Sequence, residues 1–171
     1  VQDVGARYYT YAATLCMALD ACAEAGVEVV VFDRPNPIGG EAVEGNAVGE
    51  RFRSFVGWLD VPQRHGLTVG ELARLHRAEA NVDVALTVIA CEGWDPGVYA
   101  DEPRSGGKIW SAPSPNMPTV DTAVLYPGGC LVEATSFSEG RGTTRPFELV
   151  GAVGVDARAL AQAIEDEGIS G

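Results

Sequence analysis

The feature that most limits the fold is the apolar run VEVVVF over residues 27–32, which lies between Gly26 and Asp33. It follows residues 8–26, YYTYAATLCMALDACAEAG, whose apolar positions recur at helical spacing. A glycine at the end of such a segment is typical of a helix end. The pattern predicts a helix over 8–26 and then a strand over 27–33. A strand this apolar is typical of a parallel sheet that helices cover on both faces.

A second helix and strand follow. The segment LTVGELARLHRAEA, residues 67–80, has Thr68 and, three positions later, Glu71, which is the capping-box pattern of a helix start. The segment DVALTVIACEGW, residues 83–94, is expected to be another buried strand. Residues 1–6, VQDVGA, are interpreted as the end of a strand that begins upstream. This alternation predicts an α/β fold with a mostly parallel sheet that is incomplete at both ends.

Towards the carboxyl end, the pattern predicts shorter elements. We expect a short helix over 118–129 that is broken at Pro127. Residues 130–152 are expected to form a short apolar segment, a polar loop and a short strand. Residues 156–168, DARALAQAIEDEG, are predicted to form a helix with Asp156 as its N-cap.

Long polar loops over residues 34–50, 99–119 and 136–148 connect these elements. Loops of this length inside a compact domain are usually functional. The first of them follows a predicted parallel strand, and in open α/β sheets ligands bind at the carboxyl ends of the strands. We therefore expect a ligand site among these loops.

The charge balance excludes some partners. The chain has 24 acidic residues against 12 Lys and Arg residues, and a formal net charge of -12. This argues against nucleic acid and anionic membranes as partners. The apolar runs are shorter than a membrane span, and no signal peptide is recognisable. The two histidines and the absence of a CxxC pair predict no metal site and no cofactor, with Cys16, Cys22, Cys91 and Cys130 as thiols.

The first polar loop holds several candidate site residues. Asp33 or Glu44 could be a catalytic carboxylate, and Asn36 could bind a hydroxyl group. The alternative is that Asp33 caps a turn and pairs with Arg34. His65, just before the predicted helix at 67–80, is either a ligand contact or a hydrogen-bonded structural residue.

Two further groups of candidates lie elsewhere. Tyr8 and Tyr11 could stack on a sugar ring, or they could pack in the core. Asn116 lies in the proline-rich stretch 111–119, which would either hold it ready for a ligand or act as a rigid connector.

The loop 136–148, SFSEGRGTTRPFE, combines Glu139 with Arg141, Thr143 and Arg145. Apolar surroundings raise the pKa of a carboxyl group and suit a general acid, whereas a neighbouring arginine lowers it. Cleavage of a glycoside requires two carboxyl groups with different pKa values. The loop is therefore a candidate catalytic site, and its alternative is an Arg–Glu ion pair that closes a turn.

Seven motifs carry a resemblance to a known family. They occur in the order VQDVGARYYTY, DRPNPIGG, FRSFVG, HGLTVGELA, LTVIACEGW, PSPNMPTVDTAVLYPG and SEGRGTTRPFE. Together they resemble the exo-β-N-acetylmuramidase family, the NamZ or YbbC-like glycoside hydrolases, from residue 1 to about residue 154. Where the family has FEGTN before SEGRGT, this chain has VEATS at 132–136, and Tyr8 stands where phenylalanine is usual.

The resemblance implies a bacterial enzyme that removes terminal β-linked N-acetylmuramic acid from the non-reducing end of peptidoglycan fragments during cell-wall turnover. It implies a Rossmann-like, three-layer α/β domain over 1–154 and the start of a carboxyl-terminal lid domain over 155–171. It also implies a longer protein, with a catalytic glutamate in an upstream Pro-Glu-His-Gly stretch, so that this chain alone would hold part of a site.

For this substrate we expect the catalytic carboxylate within the chain to be Glu139, with Glu44 and Asp33 as further candidates. The lactyl carboxylate of N-acetylmuramic acid suits an arginine partner. The expected substrate-binding residues are Arg7, Tyr8, Tyr11, Arg34, Asn36, His65, Asn116, Arg141, Thr143 and Arg145.

Two other functions are consistent with the sequence. The chain could be a non-catalytic module that binds muropeptides or sugars, or another cell-wall hydrolase such as an amidase or esterase. An amidase normally uses a metal or an activated Ser or Cys, and no such motif is found. The longer protein is expected in the periplasm or outside the cell, with the cytoplasm as the alternative.

Overall fold

A computed structural model of the 171-residue chain describes residues 2–100 and 110–168. This part contains four α-helices and two β-strands. In chain order they are α1 (Tyr11–Ala25), β1 (Val29–Phe32), α2 (Val69–Glu79), β2 (Leu86–Ile89), α3 (Val120–Gly129) and α4 (Ala157–Asp166). Single 3-10 turns cover Glu50–Phe52 and Cys130–Ala134. Residues 101–109 of the predicted loop 99–119 lie outside the described residues.

The two strands form a parallel sheet, with Val29 opposite Leu86 and Phe32 opposite Ile89. Helix α2 makes the crossover between them, so β1, α2 and β2 form a βαβ unit. The parallel sheet with flanking helices confirms the predicted α/β fold. None of the described helices is long and apolar enough to cross a membrane.

Helices α1 and α2 pack on each other and cover one face of the sheet. Leu15 and Leu19 of α1 meet Val31 of β1 in a cluster of buried side chains, which also contains Val69 and Ala73 of α2. Burial of these apolar side chains is the main force that holds the helices on the sheet.

The opposite face of the sheet is exposed. Val30 is 47% exposed, Phe32 is 74% exposed and Ile89 is 48% exposed. The expectation that both strands are buried on both faces is therefore wrong for the described chain. Successive side chains of a strand point to opposite faces, and only the Val31 side of β1 meets α1 and α2.

The predicted helix ends are largely confirmed. Gly26 follows α1 in the left-handed conformation, with φ 65°. Thr68 and Glu71 form the capping box of α2, in which the Glu71 N–H donates to Thr68 Oγ1 at 3.2 Å and the Thr68 N–H donates to Glu71 Oε2 at 2.8 Å. Asp156 caps α4 by accepting from two backbone N–H groups. Helix α1, however, begins at Tyr11 and not at residue 8.

Pro127 does not break α3, contrary to the prediction. The helix continues to Gly129, and Cys130–Ala134 follows as a 3-10 turn. Pro127 lies in the last turn of the helix, where a missing N–H removes a single hydrogen bond and few residues remain to be displaced.

Two predicted strands are also wrong. Residues 2–5 form no strand, and Ala6 makes only an isolated bridge with Arg64; Val1 lies outside the described residues. In place of the short strand predicted after the loop 136–148, one antiparallel bridge joins Ser138 and Gly151, through N–H···O distances of 2.7 and 3.1 Å. A single residue pair is enough to close the loop between them, so no ladder develops.

Candidate active site

A cavity of about 230 Å³ lies where the loops after β1 and β2 meet, at the carboxyl edge of the sheet. This is the edge at which open α/β sheets bind ligands. Two tryptophans contribute apolar surface, and three charged side chains, two amides and a serine hydroxyl contribute polar groups. These lining residues are Gln2, Arg34, Asn36, Glu92, Trp94, Asp95, Trp110 and Ser111.

Backbone hydrogen bonds fasten the two loops to each other. Gly40 N–H donates to the carbonyl of Pro96 at 2.8 Å, and Ala100 N–H donates to the carbonyl of Pro37 at 2.9 Å. Gly40 is needed here because a Cβ atom would lie 3.0 Å from the ring of Trp94. The walls of the cavity are therefore set by the packing of one loop on the other.

Arg64 adds a side-chain link between the same loops. Its guanidinium donates to the carbonyl of Ile38 at 2.6 Å and to Tyr99 Oη at 3.1 Å, and it pairs with Glu44 at 2.9 Å. Burial alone would lower the pKa of Arg64, but hydrogen bonds with Glu44 and Tyr99 raise it above its usual value. Glu44 is thus an ion-pair partner on the outside of the loop and does not line the cavity.

Asn36 and Asp33 form hydrogen bonds that shape the chain. The Asn36 amide donates to the carbonyl of Leu67 at 3.0 Å, and its oxygen accepts from Ile38 N–H at 3.2 Å. One Asp33 oxygen accepts from the Gly70 N–H and the other from the hydroxyl of Thr68. Asp33 therefore holds the start of α2. The predicted alternative was a turn cap paired with Arg34, and Arg34 contacts Asp33 only through its backbone N–H.

His65 is buried away from the cavity. Its Nε2 lies 3.1 Å from Asp3 Oδ2, and its Nδ1 accepts from the Leu67 N–H at 3.0 Å. This arrangement requires the tautomer with the proton on Nε2, since Nδ1 is an acceptor. His65 thus joins the first residues of the chain to the segment before α2.

The remaining residues from the amino-terminal part also contact protein groups. Arg7 donates to the carbonyls of Asn46 and Val61. The Tyr8 hydroxyl donates to the carbonyl of Pro127, and burial raises the pKa of Tyr8 to about 12. The exposed Tyr11 donates to the carbonyl of Pro113 at 3.3 Å.

Asn116 is half-buried in a turn before α3. Within residues 2–100 and 110–168, its side chain makes no hydrogen bond. It does not line the cavity.

The loop 136–148 forms a separate group of charged residues. Arg141 Nε donates to the buried Glu139 at 2.8 Å, and its Nη2 donates to Glu133 at 2.9 Å. Arg145 pairs with Glu148 at 2.8 Å. The predicted alternative of an Arg–Glu ion pair is therefore present, and the catalytic role of Glu139 stays a prediction.

The backbone of this loop adopts unusual conformations. Gly140 and Gly142 have φ values of 83° and 82°, and Phe147 has φ 63°. A left-handed conformation in a residue with a side chain is uncommon and costs energy, so the surrounding packing must hold Phe147 in place. Thr143 supports the turn, because its hydroxyl donates to the carbonyl of Gly140 at 2.6 Å.

Aromatic contacts connect this loop with the start of α1. Phe147 packs edge-on against Tyr126 at 4.8 Å between ring centroids, and Tyr126 contacts Tyr8 at 5.6 Å. These rings belong to a core cluster that also includes Ile38, and Trp110 packs against that cluster. The cavity and the loop 136–148 thus share a core, although Glu139 does not line the cavity.

Of the thirteen lining residues in the described part of the chain, Arg34 and Asn36 were among the predicted site residues, whereas the two tryptophans and the two acidic residues, Glu92, Trp94, Asp95 and Trp110, were not. Three of them follow β2, and the same carboxyl-edge argument that selected the loop after β1 would have selected them. Trp110 is distant in sequence, and no local pattern indicates its position. Its ring is fixed by a hydrogen bond from Nε1 to the carbonyl of Met117 at 2.9 Å.

No group of three or more His, Cys, Asp or Glu side chains within the described residues could hold a metal ion. The polar groups of the cavity are carboxylates, amides, a hydroxyl and a guanidinium. Such groups, next to flat apolar rings, can bind a polar ligand that also has apolar surface.

The fold and the cavity define an α/β protein of the class whose ligand sites lie at the carboxyl edge of a parallel sheet. Residues 1–121 match the family model described as exo-beta-N-acetylmuramidase NamZ, N-terminal. Residues 124–171 match the model described as exo-beta-N-acetylmuramidase NamZ, C-terminal. The chain therefore belongs to the exo-β-N-acetylmuramidase NamZ family, as the resemblance of its motifs predicted. The predicted domain division at residue 154 stays a prediction.

Known proteins similar to this chain agree with the assignment. The peptidoglycan beta-N-acetylmuramidase NamZ of Bacillus subtilis (strain 168) is 43% identical over 164 residues, which are 96% of this chain and 39% of that protein. Two crystal structures of DUF1343 family proteins from Bacteroides fragilis NCTC 9343 superpose with TM-scores of 0.90 and 0.76, at 37% and 38% identity. They are matched over 100% and 88% of this chain, and over 44% and 41% of their own length. The chain thus spans about two fifths of the length of these relatives.

Proposed function

We propose that the protein containing this chain is a glycoside hydrolase that removes terminal β-linked N-acetylmuramic acid from the non-reducing end of peptidoglycan fragments. Family membership supports this proposal, and the Bacillus subtilis relative is described as a peptidoglycan beta-N-acetylmuramidase. The substrate and reaction are carried over from that description.

The observation that carries the proposal is the composition of the cavity. Pyranose rings have apolar faces that pack on aromatic side chains, and Trp94 and Trp110 supply such surfaces. The hydroxyl and amide groups of the sugar require hydrogen-bonding partners, which Glu92 and Asp95 can provide. The cavity therefore suits a sugar better than a wholly apolar ligand.

Within this chain, Glu139 remains the proposed catalytic carboxylate among the three that the sequence indicated. It is buried, and the hydrogen bond from Arg141 uses one of its two oxygens. Asp33 uses both oxygens to hold α2, and Glu44 is largely exposed beside Arg64. We propose that Glu139 acts with a second carboxyl group, as hydrolysis of a glycoside requires.

The proposal is tested with the natural polypeptide that contains this sequence. We expect it to release the chromophore from a chromogenic β-N-acetylmuramide and to release free N-acetylmuramic acid from disaccharides that carry it at the non-reducing end. The matched control substrate is the corresponding α-linked glycoside, which should not react. Absence of release from all β-linked substrates would contradict the proposal.

A non-catalytic sugar-binding module is the second candidate, and the Arg141–Glu139 ion pair favours it. Binding of the β-linked sugar without turnover would support this candidate. Export to the periplasm or the outside of the cell is also proposed, and fractionation of cells followed by detection of the protein would test it.

A further inference from the structure

We infer that Arg34 makes the cavity selective for N-acetylmuramic acid over N-acetylglucosamine by binding the lactyl carboxylate. This inference rests on the proposed function, because it assumes that the cavity holds the sugar. The two sugars differ in the lactyl group, which adds a carboxylate. A residue that binds this group therefore determines which sugar is preferred.

Four arginines were predicted to bind substrate, and they differ in the contacts that their side chains already make. Arg7 is engaged by the carbonyls of Asn46 and Val61. Arg141 and Arg145 each form ion pairs with glutamates, at N···O distances of 2.8–2.9 Å. For these three arginines, binding a ligand would require that an existing contact be broken.

Arg34 differs from them. It lines the cavity, and in the described part of the chain its guanidinium forms no hydrogen bond or ion pair. The carboxylate next to it, that of Asp33, accepts the backbone N–H of Arg34 at 2.8 Å and is otherwise occupied by Thr68 and Gly70. The exposed guanidinium is therefore available to a ligand.

The charges around the cavity would also orient the sugar. Glu92 and Asp95 are the other charged residues among the described lining side chains, and both are acidic. A ligand carboxylate is repelled by these two residues and attracted by Arg34. A planar guanidinium can donate two parallel hydrogen bonds to a carboxylate, which an ammonium group cannot reproduce. The lactyl group is thus directed to the Arg34 side, and the pyranose ring remains next to the tryptophans.

The test compares binding of free N-acetylmuramic acid and free N-acetylglucosamine, which have no glycosidic bond to cleave, to the natural polypeptide, by calorimetry. We expect the first sugar to bind about tenfold to a hundredfold more tightly, as is typical of a charged hydrogen bond. Arg34→Gln should reduce the ratio of the two dissociation constants to near one, mainly by weakening the first sugar. Arg34→Lys should retain part of the preference.

The matched control is Arg51→Gln, which removes the same charge from an arginine that stacks on Phe52 outside the cavity. This variant should keep the wild-type ratio, and so should exclude a general effect of net charge. Esterification of the lactyl carboxylate should lower the affinity of the wild type and leave that of Arg34→Gln unchanged.

An unchanged ratio in Arg34→Gln would overturn the inference, as would a wild type that binds both sugars equally or binds neither. Because binding is measured without hydrolysis, a protein that selects the sugar but does not cleave it would contradict only the proposed function. Equal thermal stability of Arg34→Gln and the wild type would establish that the substitution acts on binding and not on folding.

Discussion

The backbone N–H of Gly70 donates to Asp33 Oδ1 at 2.7 Å, and this hydrogen bond fastens the end of β1 to the first turn of α2. The second oxygen of Asp33 accepts from Thr68 Oγ1 at 2.9 Å. Asp33 thereby satisfies a donor of the helix start and fixes the point at which the chain leaves the sheet for the cavity loop.

Replacement of Asp33 by Ala should lower the free energy of unfolding by about 1–3 kcal/mol, because Gly70 and Thr68 lose their acceptor. Asp33→Asn should cost less, since one acceptor oxygen remains. Urea denaturation measures both values, and the exposed Asp83→Ala should stay within about 0.5 kcal/mol of the wild type. A fully stable Asp33→Asn variant without turnover would instead indicate a catalytic role.

Gly70→Ala should destabilise the protein by about 1–3 kcal/mol, as overpacking does. A Cβ at this position would lie 2.5 Å from Val88 Cγ1 and 2.8 Å from Asp33 Cγ. Gly128→Ala in α3 is the control, since nothing lies within 4 Å of its Cβ position, and it should gain up to about 1 kcal/mol from helix propensity. Equal stability of the two variants would contradict the close packing of α2 on β2.

Local chemistry explains what the sequence could predict about the fold. Gly26, the pair Thr68 and Glu71, and Asp156 each act on backbone groups within a few residues, and all were located correctly. The exposed face of the sheet could not be predicted in this way, because it depends on which side α1 and α2 cover. Apolar composition alone does not distinguish the two faces.

The candidate site was predicted less completely. Asn36 and His65 were predicted to bind substrate, but each has a structural partner far along the chain, 31 and 62 residues away. Whether such a side chain serves a ligand or the fold is decided by these distant contacts. The cavity residue Trp110 was missed for the same reason, since it reaches the site through tertiary packing.

Glu148 should make stability depend on pH in the acid range. Hydrogen bonds from Thr122 and then from Arg145 lower the pKa of Glu148 below its usual value of 4.5. Because the folded pKa is the lower one, the stabilisation is present above about pH 4.5 and is lost as the pH falls through the folded pKa.

Urea denaturation from pH 7 to pH 3 should therefore show a shallower acid decline for Glu148→Gln than for the wild type. The exposed Glu165→Gln of α4 should keep the wild-type slope. Parallel curves for Glu148→Gln and the wild type would show that Glu148 does not contribute to the decline.

Glu139→Gln should lower kcat on a chromogenic β-N-acetylmuramide by about a hundredfold or more, the usual effect of losing an acid–base or nucleophilic carboxylate. Glu133→Gln removes the other carboxylate that Arg141 binds, and should leave kcat within a few fold. Comparison of the two variants distinguishes a catalytic role of Glu139 from its role as an ion-pair partner of Arg141. Equal losses in both variants would assign Glu139 a structural role only.

Cys16 should be the slowest thiol to react. It is fully buried in the core against α2, and burial raises the pKa of Cys16 to about 12. With a disulfide reagent at pH 8, the half-buried Cys22 should react in the native protein. Cys16 should react only after local unfolding exposes its side chain to solvent. Cys16→Ser should remove the slow phase and Cys22→Ser a faster one. If the native protein showed a fast thiol reaction that disappears in Cys16→Ser, this result would contradict the burial of Cys16.

The bridge between Ser138 and Gly151 makes the intervening loop a self-contained unit, because its two ends are held together wherever the chain between them runs. Loop-closure entropy rises by only about 0.6 kcal/mol for each doubling of length. Insertions among the exposed residues 141–145 can thus change the charged surface around Glu139 at little cost, while Phe147 keeps the loop packed on the core. The exposed tip of the loop is a segment that evolution or an engineer can replace while the scaffold stays as it is.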